Sequence, residues 1–168
     1  PVSSSFRFDE PEAFTAGTVG EPGARTFFLQ VVEAGQVVSL KCEKQQVGAI
    51  VQYLRKVLHD LPPAEDKALP GSLELVEPVE QVFVLGPIVL GYDRQADRLV
   101  VQLEEMGLVD EDGDELPGYD GHIRLFVTRS QAASFCDHAE RVIASGRPDC
   151  QWCGLPVDPD GHPCPRMN

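Results

Sequence analysis

The chain has 168 residues, of which 14 are basic and 27 acidic, so its net charge is −13 at pH 7. This length predicts one domain with room for a small appendage. The negative charge argues against a general nucleic-acid binder, because such proteins present a basic face. The longest strongly apolar run, at 82–91, is too short to span a bilayer, and no membrane anchor is expected.

Residues 1–24, in which Gly17, Gly20 and Gly23 recur every third residue, are expected to be extended or loop-like. The first fourteen residues are polar and include Arg7, Asp9 and Glu10, so they do not resemble a secretion signal. Five cysteines, an odd number with a metal-type spacing, are typical of a reducing compartment. The expected location is therefore the cytoplasm.

The spacing of apolar residues predicts five strands, at 25–33, 36–43, 81–92, 98–105 and 123–127, and two helices, at 44–61 and 129–145. Ala34-Gly35 provides a hairpin turn between the first two strands. Thr128 and Gln131 form a capping box at the start of the second helix.

These elements repeat along the chain. At an offset of 85 residues, 38–63 matches 123–148 in periodicity, and Leu40 aligns with Leu125. The fold class is therefore α+β, with a domain at 1–148 built from two strand–strand–helix units, at about 25–63 and 81–148. An extra strand precedes the second unit, the sheet is mostly antiparallel, and residues 149–168 form a zinc knuckle at the C-terminus.

The repeat also assigns two cysteines to the core. Cys42 aligns with Val127 on the apolar face of a strand, and Cys136 aligns with Val51 on the apolar stripe of a helix. Both are expected to be small buried side chains rather than ligands or nucleophiles. His59, His122 and His138 have no evident partner for acid–base chemistry.

The C-terminal tail has the spacing of a metal site. Cys150 and Cys153 form a C-x-x-C pair, and His162 and Cys164 offer a second pair after a short turn-rich loop. Zinc takes four such ligands in a tetrahedron, usually two from each of two turns. Three thiolates and one imidazole fill the coordination sphere, which predicts a structural zinc rather than a catalytic one.

Two other interpretations of the tail stay open. A disulfide between Cys150 and Cys153 would suit a redox motif, but Pro156 and Pro159 argue against the helix that usually follows one. If His162 does not bind, zinc keeps an open position for water, with Asp158 or Asp160 to handle protons.

An acidic stretch without Lys or Arg runs from 99 to 123 and carries eight carboxylates. Alternating aspartates at 110, 112 and 114 suggest a calcium loop, but Gly121 stands where a bidentate glutamate is needed. The stretch is expected to be a solvated loop suited to a basic partner.

Four segments resemble the DUF3090 family of uncharacterised actinobacterial proteins: FTAGTVGEPG at 14–23, VSLKCEKQQ at 38–46, LGYD at 90–93 and CGLPVDPDGHPCPR at 153–166. The resemblance covers nearly the whole chain. It implies a cytoplasmic bacterial protein and no particular activity.

Three functions are weighed on these residues. The first is a non-catalytic protein-interaction or regulatory module with a structural zinc site, whose partner is another protein. The second is a metal-dependent hydrolase with an open zinc position. The third is a nucleic-acid-binding zinc knuckle using Arg147 and Arg166, which the charge balance disfavours. No small-molecule ligand is indicated.

Overall fold

The computed structural model describes residues 4–21, 23–63 and 72–145. These residues form, in chain order, β1 (Ser5–Phe8), β2 (Ala13–Val19), β3 (Thr26–Glu33), β4 (Gln36–Cys42), α1 (Lys44–His59), β5 (Gln81–Asp93), β6 (Arg98–Glu105), β7 (His122–Val127) and α2 (Arg129–Ala144). All five predicted strands and both helices are confirmed to within about two residues at each end, the usual uncertainty of an element boundary. Residues 1–24, expected to be extended or loop-like, contain two strands that the sequence did not predict, β1 and β2.

The seven strands form one mixed sheet in the order β1-β7-β6-β5-β4-β3-β2. Only two pairs are parallel, β1 with β7 and β4 with β5, so the sheet is mostly antiparallel as predicted. The two outermost strands, β1 and β2, are consecutive in the chain and separated by residues 9–12 alone. Such a short link spans less than about 18 Å between strand ends, so the two ends of the sheet return towards each other.

The repeat is larger than the sequence predicts. Unit 1 is β2-β3-β4-α1 and unit 2 is β5-β6-β7-α2, so each unit has three strands and a helix. The first half of β5 pairs with β4 and its second half with β6. Likewise β1 pairs with β7 and β2 with β3. In the repeat, β1 and β2 together therefore correspond to the two halves of the continuous strand β5. Phe8, which lies opposite Leu125, corresponds to Phe83, which lies opposite Leu40.

One hydrophobic core lies between the helices and one face of the sheet. The buried residues of α1 are Val47, Ile50, Val51 and Leu54. Adding 85 to each gives the buried residues of α2: Ala132, Phe135, Cys136 and Ala139. On the strands, side chains alternate between the two faces of the sheet, so every second residue points into this core. The alternating apolar residues of β4 and β7 are all buried, as the sequence predicts: Val38, Leu40 and Cys42, and Ile123, Leu125 and Val127.

Equivalent positions of the two helices contact each other. Cys136 Sγ lies 3.8 Å from Val51 O, and 136 − 51 = 85. Arg55 Nε donates to Glu140 Oε1 at 2.9 Å, and 140 − 55 = 85. Two copies of a motif meet at equivalent residues where a two-fold axis passes between them. The units are therefore related by a pseudo-two-fold axis between α1 and α2.

Each helix begins with a capping box. Thr128 and Gln131 cap α2 as predicted, and Glu43 and Gln46 form the equivalent box on α1. Both glutamines also reach the other unit. Gln46 Nε2 donates to Gly86 O at 3.2 Å, and Gln131 Nε2 donates to Pro11 O at 2.6 Å. Each capping glutamine therefore both caps the start of its helix and holds that helix against a backbone carbonyl elsewhere in the chain.

No helix in the described part of the chain is long and apolar enough to cross a membrane.

Candidate functional site

The predicted zinc ligands, Cys150, Cys153, His162 and Cys164, lie outside the described residues, as does the whole predicted tail at 149–168. Within residues 4–21, 23–63 and 72–145, no three His, Cys, Asp or Glu side chains are grouped as metal ligands. Zinc binding therefore remains a prediction from the spacing of the tail.

Cys42 and Cys136 are buried and free, which confirms their predicted place in the core. Burial raises the pKa of Cys42 to about 12 and that of Cys136 to about 11. The thiolate is the reactive form of cysteine, and desolvation disfavours it. Neither thiol is therefore suited to act as a nucleophile at neutral pH.

One serine–histidine contact is present that the sequence did not predict. Ser5 Oγ lies 3.3 Å from His122 Nδ1, because β1 and β7 pair in a register that places these residues opposite each other. Both side chains are exposed, and neither lines either of the two cavities described below. A catalytic pair is usually closer, at about 2.6–3.2 Å, and oriented by a third group. The contact is a cross-strand polar pair.

The acidic stretch forms a compact hairpin-like loop at 106–121, here called the acidic hairpin. A bridge joins Val109 to Glu115, and Leu116 N donates to Leu108 O at 2.9 Å. At the tip, Asp110 Oδ1 accepts hydrogen bonds from Asp112 N and Asp114 N, both at 2.9 Å. The carboxylate of Asp110 thus shapes the turn, as aspartate commonly does.

The acidic hairpin also exposes apolar side chains. In the described part of the chain ten large apolar residues are exposed, and five of them lie here: Met106, Leu108, Val109, Leu116 and Tyr119. Unit 1 has only the turn Ala34-Gly35 at the equivalent place. The hairpin is thus an addition to the repeat that places apolar and acidic groups together in solvent.

The second departure from the repeat is on the outer face of β1, β7, β6 and β5. Arg7 and Arg124 lie directly opposite each other on the parallel strands β1 and β7. Their guanidinium carbons stand 5.0 Å and 5.8 Å from the centre of the Phe126 ring, within range of a cation–π contact. We call this face, with Val89, Gly91 and Gln102 beside it, the arginine groove.

The arginine groove is concave. It contains two adjoining hollows that share Arg7, Asp93 and Phe126: one of about 430 Å³ beside Arg124, and one of about 700 Å³ that is also lined by Arg98 and by the carboxylates of Asp9, Glu10, Glu12 and Glu33. Arg7 Nε pairs with Asp9 at 3.0 Å. The salt bridges found among the described residues do not include Arg124. Like charges directly opposite on neighbouring strands repel, so this pair favours an anion in the groove.

A polar network joins the β5–β6 turn to the start of α2. Tyr92 Oη donates to Asp97 Oδ1 at 2.6 Å, and Arg129 Nη2 pairs with Asp97 Oδ2 at 3.0 Å. The hydrogen bond from Tyr92 and the charge of Arg129 lower the pKa of Asp97. The same hydrogen bond raises the pKa of Tyr92. The network fixes the β5–β6 turn against the start of α2.

The architecture defines an α+β protein of two pseudo-symmetric units, with an acidic hairpin and an arginine groove where the symmetry fails. The chain belongs to the DUF3090 family, described as proteins of unknown function, whose model matches residues 6–164. This confirms the resemblance in the sequence. Comparisons with curated proteins and with solved structures give no match.

Proposed function

We propose that this protein is a non-catalytic protein-interaction module that binds a basic partner segment through the acidic hairpin. The observation that carries the proposal is the clustering there of five exposed apolar side chains among carboxylates. Apolar patches rimmed by polar residues are typical of protein-binding surfaces. Free thiols at Cys42 and Cys136 fit a reducing compartment, so we place this function in the cytoplasm.

The chemistry of the hairpin specifies the partner. Leu108, Val109 and Leu116 offer a short apolar surface, and Glu111, Asp112 and Asp114 surround it with negative charge. A complementary segment has an apolar face flanked by Lys or Arg. Opposite charges accelerate encounter and select the partner, while the apolar contact supplies the affinity.

The described residues offer little support for an enzyme. The two described cysteines are buried thiols with raised pKa values, and the serine–histidine contact lies outside both hollows. The arginine groove presents guanidinium groups and an aromatic ring, which bind and orient a ligand, and the carboxylates that line its larger hollow have no serine, cysteine or histidine among the other described lining residues.

The binding experiment uses a labelled 18-residue amphipathic peptide of leucine and lysine, with fluorescence anisotropy as the readout. Changing Glu111→Lys together with Asp112→Lys is expected to weaken binding about tenfold at low salt and less at 0.3 M, because salt screens exposed charges. The matched control, Glu21→Lys with Glu80→Lys, makes the same change of charge at exposed sites elsewhere. An equal loss in both variants would reduce the effect to net charge and contradict the proposal.

We also propose a structural zinc bound by Cys150, Cys153, His162 and Cys164. The support is the spacing of these residues, which suits two ligand pairs on two turns. Zinc K-edge absorption on protein purified without added metal is expected to give three sulfurs and one imidazole nitrogen. Three sulfurs with a water oxygen would instead favour the metal-dependent hydrolase, and protein without zinc would refute the site.

A further inference from the structure

The outer face of unit 1 is covered by the chain itself. Gln30 Nε2 donates to Val76 O at 3.1 Å, and Gln30 Oε1 accepts from Val76 N at 2.8 Å. Thr15 Oγ1 donates to Leu73 O at 2.6 Å. Ser39 completes the set by accepting a hydrogen bond from Gln30. Residues 73–76, which follow α1 in the chain, are therefore held on this face by buried polar side chains.

Gly17 provides the space for this covering segment. A Cβ at Gly17 would lie 2.5 Å from Leu75 Cγ, much closer than two carbon atoms approach without bonding. The side chain of Leu75 therefore occupies the space that a side chain at position 17 would need. Unit 1 thus has a groove built for a segment of chain.

The arginine groove is the equivalent face of unit 2. Thr15 lies opposite Gln30 as Val89 lies opposite Gln102, and Gly17 lies opposite Phe28 as Gly91 lies opposite Val100. The four positions that hold the segment in unit 1, Thr15, Gly17, Gln30 and Ser39, correspond to Val89, Gly91, Gln102 and Arg124.

No described residue covers this second groove. Val89 is 53% exposed, and a Cβ at Gly91 would have none of the described atoms within 4 Å. Arg7 and Arg124 are also exposed. The groove thus keeps the shape of a segment-binding face and the anchoring glutamine, as Gln102, while Arg124 replaces Ser39 and Arg7 lies beside Arg124 on β1.

We propose that the residues after α2 bind in the arginine groove, as the residues after α1 bind in unit 1. The chain length supports this segment. Leu73 and Leu75 lie 14 and 16 residues beyond His59, the end of α1 (73 − 59 and 75 − 59). The same intervals from Ala144, the end of α2, reach Asp158 and Asp160.

The charges of this segment complement the groove. In an extended segment, side chains two residues apart point to the same side, so a segment docked in this way would present Asp158 and Asp160 together to the sheet. Arg7 and Arg124 offer two guanidinium groups there, and arginine–carboxylate hydrogen bonds are strong and directional. The alternating aspartates stand at the intervals of the alternating leucines of unit 1, and they would meet Arg7 and Arg124 in the smaller hollow, which is away from the carboxylates of Asp9, Glu10, Glu12 and Glu33.

The first test uses NMR of the zinc-loaded full chain. Asp158→Lys with Asp160→Lys is expected to shift the amide signals of Gly91, Val100 and Gln102 and to leave those of unit 1 unchanged. The control, Glu111→Lys with Asp112→Lys, makes the same change of charge on the acidic hairpin and is expected to leave the groove signals in place. Unchanged groove signals in the tail variant would overturn the proposal, whatever the hairpin binds.

The second test measures hydrogen exchange over residues 155–162. Arg124→Glu is expected to accelerate exchange there by about tenfold or more, because a docked segment exchanges only when it opens. Arg141→Glu, on an exposed position of α2, is the control. Adding Asp160→Arg to Arg124→Glu is expected to restore slow exchange. Failure of this rescue, or protection that disappears on dilution together with a dimer in sedimentation, would overturn docking within one chain.

Discussion

Burial decides the chemistry of the described cysteines. Cys42 lies on the buried face of β4 and Cys136 on the buried face of α2, and loss of hydration keeps both thiols neutral well above neutral pH. The five cysteines of the chain thus divide into two that pack and three whose spacing suits a metal.

Alkylation distinguishes these two groups. Iodoacetamide at pH 8 is expected to leave Cys42 and Cys136 unlabelled in the native protein and to label both in guanidinium, as peptide mapping by mass spectrometry would show. An unfolded thiol ionises near pH 8.5. Burial raises the folded pKa values to about 12 for Cys42 and about 11 for Cys136. The stabilisation from the neutral thiols is therefore fully present below pH 8.5, and it is lost as the pH rises from there through the folded pKa values. Rapid labelling of native Cys136 would contradict its burial.

Residue-level prediction succeeded where the repeat applied and failed where the sheet order mattered. Aligning Cys42 with Val127 and Cys136 with Val51 was enough to place both in the core. Arg7 and Arg124 were not identified, because 117 residues separate them and no local pattern shows that β1 pairs with β7. The zinc ligands remain a prediction.

The first turns of the two helices also make contacts beyond their own helix. Each capping glutamine closes its own capping box and also donates to a carbonyl of the other unit. A lost cap usually costs about 1 kcal/mol, and an unsatisfied carbonyl adds about 1 kcal/mol or more. The first turn of each helix therefore helps to join the units.

Equivalent substitutions at the caps are expected to have equivalent effects. Gln46→Ala and Gln131→Ala should each lower the free energy of unfolding by about 1–3 kcal/mol in urea titrations, and the double variant should lose about the sum. Gln52→Ala makes the same chemical change at an exposed position of α1 and is expected to alter stability by less than about 0.5 kcal/mol. A small effect at Gln131 alone would argue against the equivalence.

Two strands were not predicted from the sequence, and for one of them, β2, the structure gives a physical reason. In β2, Phe14 and Ala16 face the core, but Thr15 between them is also buried because residues 73–76 cover the other face. The apolar–polar alternation that identifies a half-exposed strand is therefore weak. Covering by a distant segment is not visible in a local pattern.

The molecule as a whole is a pair of units about a pseudo-two-fold axis. Few identical residues survive between the units, yet helix bounds, buried positions and strand registers coincide. Periodicity therefore predicted the architecture better than identity did. The repeat predicted two strands per unit, because the third strand of unit 1 lies in the segment expected to be extended or loop-like.

A charge exchange across the axis tests this symmetry. Arg55→Glu places a third carboxylate beside Asp137 and Glu140 and is expected to lower stability by up to about 1 kcal/mol, the usual range for exposed pairs. Combining Arg55→Glu with Glu140→Arg should recover most of the loss in thermal or urea unfolding. Lys56→Glu with Glu140→Arg is the control, and it is expected to show no coupling. Equal coupling in both pairs would mean that the axis contact is unimportant.

The pairing of β1 with β7 sets an order on biosynthesis. Ser5 and His122, which face each other, are separated by 117 residues. At roughly 5–20 residues per second, a ribosome needs on the order of 6–25 s to supply the partner of β1 after β1 itself is made. Unit 1 can form its own hairpins and helix during this interval, but β1 stays without its partner strand until β7 has been made. A nascent chain of this protein therefore exposes β1 to chaperones or to other chains for many seconds.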